Sequence, residues 1–189
     1  MLGVGTVTAA PLDHAAEAYD KGDYAQTIKI LKPLAAEGVK GNANAQYFLG
    51  SLYENGQGTP QNYREAVKWY RLAAKQGDVN GQLALGVMYR KGKDVTQNYQ
   101  EAIKWYRLAA EQGNDVAQTN LGLMYANGLG VPQNDREALK WCRLAAEQRD
   151  PEAQFRLGVR IYTGLGVPQD YSQEASRWCR LAAEQDVRR

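Results

Sequence analysis

His14 is the chain's one histidine, and Cys142 and Cys179 are its two cysteines. A zinc site of Cys and His ligands, a Ser-His-Asp or Cys-His arrangement and a His-Glu-x-x-His motif all need more than this inventory supplies. Paired carboxylates are the remaining route to acid–base chemistry. The recurrent ones, Glu65, Glu101, Glu137 and Glu174, each stand three residues ahead of a Lys or Arg. On a helix that spacing is an ordinary ion pair. No catalytic residue, metal ligand set or cofactor is expected, and hydrolase activity is the remotest reading.

The recurring cations are a sharper feature. Lys68 and Arg71, Lys104 and Arg107, Lys140 and Arg143, and Arg177 and Arg180 fall at i and i+3, away from the apolar side of their helices. Stacked helices would align them in a ladder. That ladder is either a solvated face neutralised by the nearby glutamates or a docking strip for an acidic partner segment. Trp69, Trp105, Trp141 and Trp178 stand beside the same cations and beside an Ala-Ala pair. They read as core or inter-unit packing, with a peptide-binding aromatic stripe as the alternative.

A repeat positions all of these residues. Trp69, Trp105 and Trp141 are spaced by 36 and Trp178 follows after 37, while Leu49-Gly50, Leu85-Gly86, Leu121-Gly122 and Leu157-Gly158 keep 36 throughout. Periods in this range mark solenoids, in which each unit covers the apolar face of its neighbour. Each unit reads as two helices. In "NYREAVKWYRLAAKQG", Ala66, Tyr70, Ala73 and Gly77 fall at i, i+4, i+7 and i+11, one face of a helix that ends at a glycine. In "VNGQLALGVMYRKG" a second, short helix carries Leu85, Val87, Met88 and Tyr89. Gly86, like Gly50, Gly122 and Gly158, sits where a missing side chain lets another helix approach. The links "NGQGTPQN" and "NGLGVPQN" combine glycine with a helix-stopping proline. Gly128 and Gly130 follow a helix rather than a strand, so they read as a turn and not as a phosphate loop.

Bulk properties narrow the partners. The net charge is +2 over 189 residues, which argues against nucleic acid. No stretch approaches the roughly eighteen apolar residues of a membrane span. "MLGVGTVTAAPLD" is apolar, uncharged before Asp13 and outside the periodicity. It reads either as the end of an export signal or as an unstructured leader.

The pattern Ala-x-x-x-Leu-Gly-x-x-Tyr-x-x-Gly-x-Gly-Val-Pro-Gln-Asp-Tyr-x-x-Ala-x-x-Trp-Tyr-x-x-Ala-Ala-x-x-Gly resembles the Sel-1-like repeat, a relative of the tetratricopeptide repeat. The resemblance covers residues 45 to 185, and "AAEAYDKGDYAQTIKILKPLAAEG" upstream resembles a tetratricopeptide hairpin. The expected organisation is a leader over 1–13, a single solenoid domain over 14–185 and a tail over 186–189. Within the solenoid, 14–43 form a tetratricopeptide-like start and about four Sel-1-like repeats fill 44–185. The expected fold is all-α, a right-handed superhelical α/α solenoid whose inner face is lined by the first helix of each unit.

Departures from the pattern predict irregularities. Asp94 and Thr96 replace the second glycine and the proline of one link, which should loosen that turn. One extra residue between Tyr171 and Trp178 would rotate the last helix by about 100° unless its start is re-registered. Asp150-Pro151 is a compatible way to open a helix. Cys142 and Cys179 occupy the place that Tyr70 and Tyr106 fill earlier, on helices about 8 to 10 Å apart, too far for a disulfide. Two buried thiols are expected. Some exported members of the family staple the two helices of a unit, and that cysteine pairing is lacking here.

The expected function is non-enzymatic binding of another protein or peptide by a monomer. The resemblance implies an exported adaptor, periplasmic or secreted, in envelope assembly, signalling or host contact. It also implies an alternative, an immunity protein that neutralises a secreted toxin such as a lipase effector. A cytoplasmic setting is the alternative compartment.

Overall fold

A computed structural model of the protein describes residues 10–36, 41–149, 151–165 and 172–186. Among these residues the regular elements are all helical. They are α1 (Ala10–Asp20), α2 (Tyr24–Ala35), α3 (Ala43–Asn55), α4 (Tyr63–Lys75), α5 (Val79–Lys91), α6 (Tyr99–Glu111), α7 (Asp115–Asn127), α8 (Asp135–Glu147), α9 (Pro151–Tyr162) and α10 (Ser172–Asp186). From α3 onward the helices alternate. The odd ones carry Leu-Gly and the even ones carry Trp.

Both helix types are started by the same chemistry. Asn42, Asp78 and Asn114 cap the Leu-Gly helices, and Asn62, Asn98 and Asn134 cap the Trp helices, each side chain accepting a backbone N–H two or three residues on. These bonds satisfy donors that a helix start leaves without partners. The Leu-Gly helices stop at Gly56, Gly92 and Gly128, whose φ values of 67°, 69° and 63° lie in the left-handed region. The turn that follows rests on a neighbour. A Cβ added to Gly58 would come within 2.6 Å of the Tyr24 carbonyl carbon, and one added to Gly130 within 2.6 Å of the Tyr99 Cβ. Asp94, where looseness was expected, takes a φ of 53° and so keeps the left-handed conformation of Gly58 and Gly130. Aspartate is among the few residues that accept it.

The expected apolar face of the Trp helices is the buried one. Ala66, Tyr70 and Ala73 on α4, and Ala138, Cys142 and Ala145 on α8, are all buried. Leu49, Leu85, Leu121 and Leu157 are fully enclosed. The close packing is of a Leu-Gly helix on the Trp helix that follows it, α3 on α4, α7 on α8 and α9 on α10. Gly50 faces the Tyr70 ring, Gly122 the Cys142 thiol and Gly158 the Cys179 thiol. Gly86 is buried in α5. The glycine-rich link therefore lies inside the hairpin. Linear order, with the Trp helix described first in each unit, does not show this. Contact across the glycine, which linear order does not display, decides the pairing.

The chain divides into two compact units, Met1–Met88 with Gly92–Thr96, and Tyr89–Lys91 with Gln97–Arg189. A solenoid permits this because each repeat packs only on its neighbours. In the first unit, Ala15, Ile28, Leu31, Leu49, Leu52 and Trp69 form one core. In the second, Leu139, Cys142, Ala146, Leu157, Ile161 and Ala175 belong to a common cluster.

Two observations concern the ends. α1 begins at Ala10, inside the expected leader, with Pro11 in its first turn and Leu12 packed against the first core. Residues 1–9, and the rest of the leader reading with them, lie outside the described residues, as do Asp150 and the tail beyond Asp186. The extra residue does not rotate α10. Ser172, Glu174 and Ala175 stand at the same steps of their helix as Asp135, Glu137 and Ala138, so the insertion falls before Ser172. No described helix is long and apolar enough to cross a membrane.

Candidate partner-binding surface

The Trp helices carry the surface singled out in the sequence. On α4, α6 and α8 the rungs Lys68, Lys104 and Lys140 project outward, with side chains 57%, 58% and 60% exposed. Each ammonium is committed twice. It pairs with the glutamate three residues back, at 3.2 Å to Glu65, 3.5 Å to Glu101 and 3.8 Å to Glu137. It also lies over the neighbouring indole, 5.2 Å from Trp69, 5.3 Å from Trp105 and 5.5 Å from Trp141. Exposed pairs of this kind contribute at most about 1 kcal/mol, so the lysines remain open to exchange for a better acceptor.

The arginine rungs behave differently. Arg107 donates to the Tyr125 hydroxyl on α7. Arg143 donates from Nη2 to Glu174 at 2.9 Å, joining α8 to α10. Glu174 was expected to pair within its own helix, with Arg177; it instead accepts from Arg143 and from the Trp178 indole. The Arg177 guanidinium lies 5.9 Å from the Trp178 ring. Arg71 and Arg180 are exposed.

Trp69 and Trp141 are buried, while Trp105 and Trp178 are half-buried. The indole N–H groups of Trp69, Trp105 and Trp141 are buried without a hydrogen-bond acceptor. These rings pack, and their polar edge serves no bond among the described residues. Beside them Leu108 and Leu144 stand exposed, lining grooves on α6 and α8 together with Lys104 and Arg107, and with Lys140 and Arg143.

Beneath the surface lies a polar relay that the sequence reading missed. Gln46, Gln82, Gln118 and Gln154 are buried and spaced by 36. Their Nε2 atoms donate to the end of the preceding even-numbered helix, at Ala35, Ala74, Ala110 and Ala146. Gln76 then donates to Gln46, and Gln148 to Gln118, both at 2.8 Å. The signal was the spacing itself, in a polar residue type that interiors seldom hold.

Several titratable groups are perturbed, the tyrosines and Cys142 chiefly by enclosure and Lys93 upward by its hydrogen bond with Tyr63. Burial pushes the Tyr70 phenol far above its usual range, and Glu54, which accepts its hydroxyl at 2.8 Å, adds to the rise. Burial also raises Tyr106, against the pull of Arg90, whose Nε donates to the same hydroxyl at 3.2 Å. The Cys142 thiol is pushed up by burial while Arg160 and Arg156 draw it back. Raised groups of this kind are held protonated, which is the opposite of an activated nucleophile. Cys142 and Cys179 are free thiols, the first buried and the second half-buried. Among the described residues no cluster of three His, Cys, Asp or Glu could hold a metal ion.

The model of the Sel1 repeat family matches residues 43–78, 79–114, 115–150 and 151–187. The chain belongs to the Sel1 repeat family. Each matched repeat from this family starts on the first residue of a Leu-Gly helix, Ala43, Val79, Asp115 or Pro151, in agreement with the hairpins seen here. A Sel1 repeat protein from Oxalobacter formigenes has 36% identity and a TM-score of 0.83, over 91% of this chain and 69% of its own. A protective antigen present in uropathogenic Escherichia coli strains displays the SLR fold, with 37% identity and a TM-score of 0.82, over 94% of this chain and 39% of its own. A Sel1 repeat protein from Klebsiella pneumoniae shares the fold at 23% identity and a TM-score of 0.58, over 95% and 91%. Among curated proteins, none matches. The fold class is thus all-α, a helical-repeat solenoid, and Sel1 repeats are protein-interaction scaffolds.

Proposed function

We propose that this Sel1 repeat protein is a non-enzymatic scaffold that binds an acidic segment of another protein on the exposed lysine-bearing side of Trp helices α6 and α8. One observation carries the reading: the outward lysines of α4, α6 and α8, each held by an exposed ion pair and an indole face, stand beside half-buried or exposed leucines. An incoming carboxylate can replace Glu65, Glu101 or Glu137 at small cost, and the leucines offer apolar contact alongside. Arg107 and Arg143 already hold neighbouring helices, so the lysines are the better rungs for docking. An exported setting is part of the proposal. It draws on the family resemblance and on the description of the Escherichia coli relative as a protective antigen.

The test is capture of the natural partner, followed by kinetics with Lys104→Glu and Lys140→Glu combined. The helical signal should persist, because exposed substitutions seldom move stability by more than about 0.5 kcal/mol. Binding should weaken, most at low salt and mainly in the association rate. Unchanged binding would reduce the ladder to a solvated face. Trp141→Ala is the contrasting control, expected to lose about 3–5 kcal/mol of stability because the ring is buried. One tight partner would mark an immunity protein, and several weaker ones an adaptor.

A further inference from the structure

Between α1 and α3 lies a groove whose floor is α2. Leu12 and Tyr19 of α1 face Phe48 and Leu52 of α3 across it, and Leu31 of α2 closes its base. It encloses about 330 Å³, at the lower end for binding pockets and suited to one large side chain. Leu31 and Leu52 are buried, whereas Tyr19 and Phe48 stay 38% and 44% exposed at the mouth.

Both walls belong to helices that are present, so the groove lies inside the array and is not its raw end. The other side of α1 is a different surface: His14 and Glu17 stand about half a turn round the helix from Leu12, Ala16 and Tyr19. The ring at the mouth is also no part of the repeat signature. At the 36-residue spacing Phe48 is followed by Ala84, Asn120 and Arg156, so the solenoid does not need an aromatic there. Exposed rings gathered over an apolar base are what a binding groove offers.

The charge at the mouth is of one sign. Asp13 and Asp20 line the groove on the α1 side, both exposed, and neither makes an ion pair among the described residues. The described lining holds no Lys, Arg or His. An acidic occupant is repelled here, while a cation beside an apolar anchor gains the two carboxylates and the faces of Tyr19 and Phe48.

We propose that the α1–α3 groove is a second docking site, which takes an aromatic side chain flanked by Arg or Lys from another protein. The incoming ring packs between Tyr19 and Phe48 over Leu31 and Leu52, and its basic neighbours meet Asp13 and Asp20. The preference is the reverse of that proposed for the lysines of α6 and α8, and this site is independent of that one.

Fluorescence anisotropy of the full chain with labelled peptides tests it. The probes are Ser-Gly-Arg-Phe-Arg-Gly-Ser, a version with glutamates in place of the arginines, and a version with alanine in place of the phenylalanine. The first should bind saturably, the alanine version on the order of tenfold more weakly, as for a lost aromatic anchor, and the glutamate version severalfold more weakly. Phe48→Ala, which installs the residue of the next repeat, should cost on the order of tenfold in affinity while the helical signal persists. Asp13→Asn combined with Asp20→Asn should weaken binding severalfold at low salt and flatten its salt dependence. If Phe48→Ala disturbs the fold, the aspartate pair decides, since both side chains are exposed. Lys104→Ala should bind the basic peptide as the parent does. No saturable binding, equal affinity for the glutamate peptide, or indifference to both sets of substitutions would each overturn the inference. So would binding that appears only in Val4→Asp combined with Val7→Asp, which would mean that residues 1–9 fill the groove, or oligomers of the parent that Phe48→Ala dissolves, which would put a second copy there.

Discussion

Gly50 lies under the ring of Tyr70, so near that a Cβ on the glycine would stand 2.6 Å from both Cδ1 and Cε1. In the third Sel1 repeat the same relation joins Gly122 to Cys142, where the added Cβ would meet Sγ at 2.8 Å. The residues after Trp69, Trp141 and Trp178 are knobs, and Gly50, Gly122 and Gly158 are their seats.

Gly122→Ala should therefore destabilise the protein, although alanine is the better helix former by up to about 1 kcal/mol. Overpacking of this kind costs about 1–3 kcal/mol, and Gly122→Leu should cost more. In a Cys142→Ala background the penalty of Gly122→Ala should shrink, because the sulfur it strikes is gone. Urea melts of the four proteins give the coupling, and additive effects would refute the knob and seat.

Gln118→Leu should lower stability by about 1–3 kcal/mol despite its greater hydrophobicity, because the Ala110 carbonyl and the Gln148 amide both lose a partner. Gln100→Leu, on an exposed site, should be near neutral. Thermal melts of the two variants side by side check the relay.

Arg149 stands at φ 69°, where the two preceding Trp helices are followed by Gly77 at 88° and Gly113 at 89°. A left-handed arginine is strained by about 1–2 kcal/mol, and glycine gives back about 0.5–1 kcal/mol through its freer unfolded chain. Arg149→Gly should raise the urea midpoint by an amount equivalent to several tenths of a kcal/mol. A lower midpoint would mean that the arginine side chain holds the turn.

Alkaline pH should unfold the protein through its buried acids. Tyr70 and Tyr106 ionise above the ordinary 10.0 in the folded state, and Cys142 above 9.0. The unfolded groups release their protons first. The stability they carry is complete below those ordinary values and is lost as pH rises through them toward the folded values. Melting temperature should fall from about pH 9 upward, and Tyr70→Phe should flatten the decline above pH 10. A parallel decline in the parent and in Tyr70→Phe would remove Tyr70 from the account.

The fold was legible in the chain because a repeat writes its own contacts several times over. Spacings of 36 in Leu-Gly and Trp, with glycines where helices stop, determined an all-α solenoid of the Sel1 kind and the burial of Ala66, Tyr70 and Ala73. The Glu-Lys pairs were equally readable, since residues three apart on a helix are neighbours whatever surrounds them.

What the tertiary structure decided lies between helices, where distance along the chain says little about distance in space. It set the hairpin as Leu-Gly helix followed by Trp helix, because Tyr70 needs the space over Gly50. It took Arg107 and Arg143 out of a free ladder by giving them Tyr125 and Glu174. Gln118 became a buried junction rather than a surface amide, since the Ala110 carbonyl and Gln148 converge on it. The α1–α3 groove shows the same dependence. The periodicity that brings Leu12 and Tyr19 to one side of α1 belongs to the sequence, but whether Tyr19 and Phe48 are core or surface depends on how closely a neighbouring helix covers them, and only folding reveals that both stay exposed.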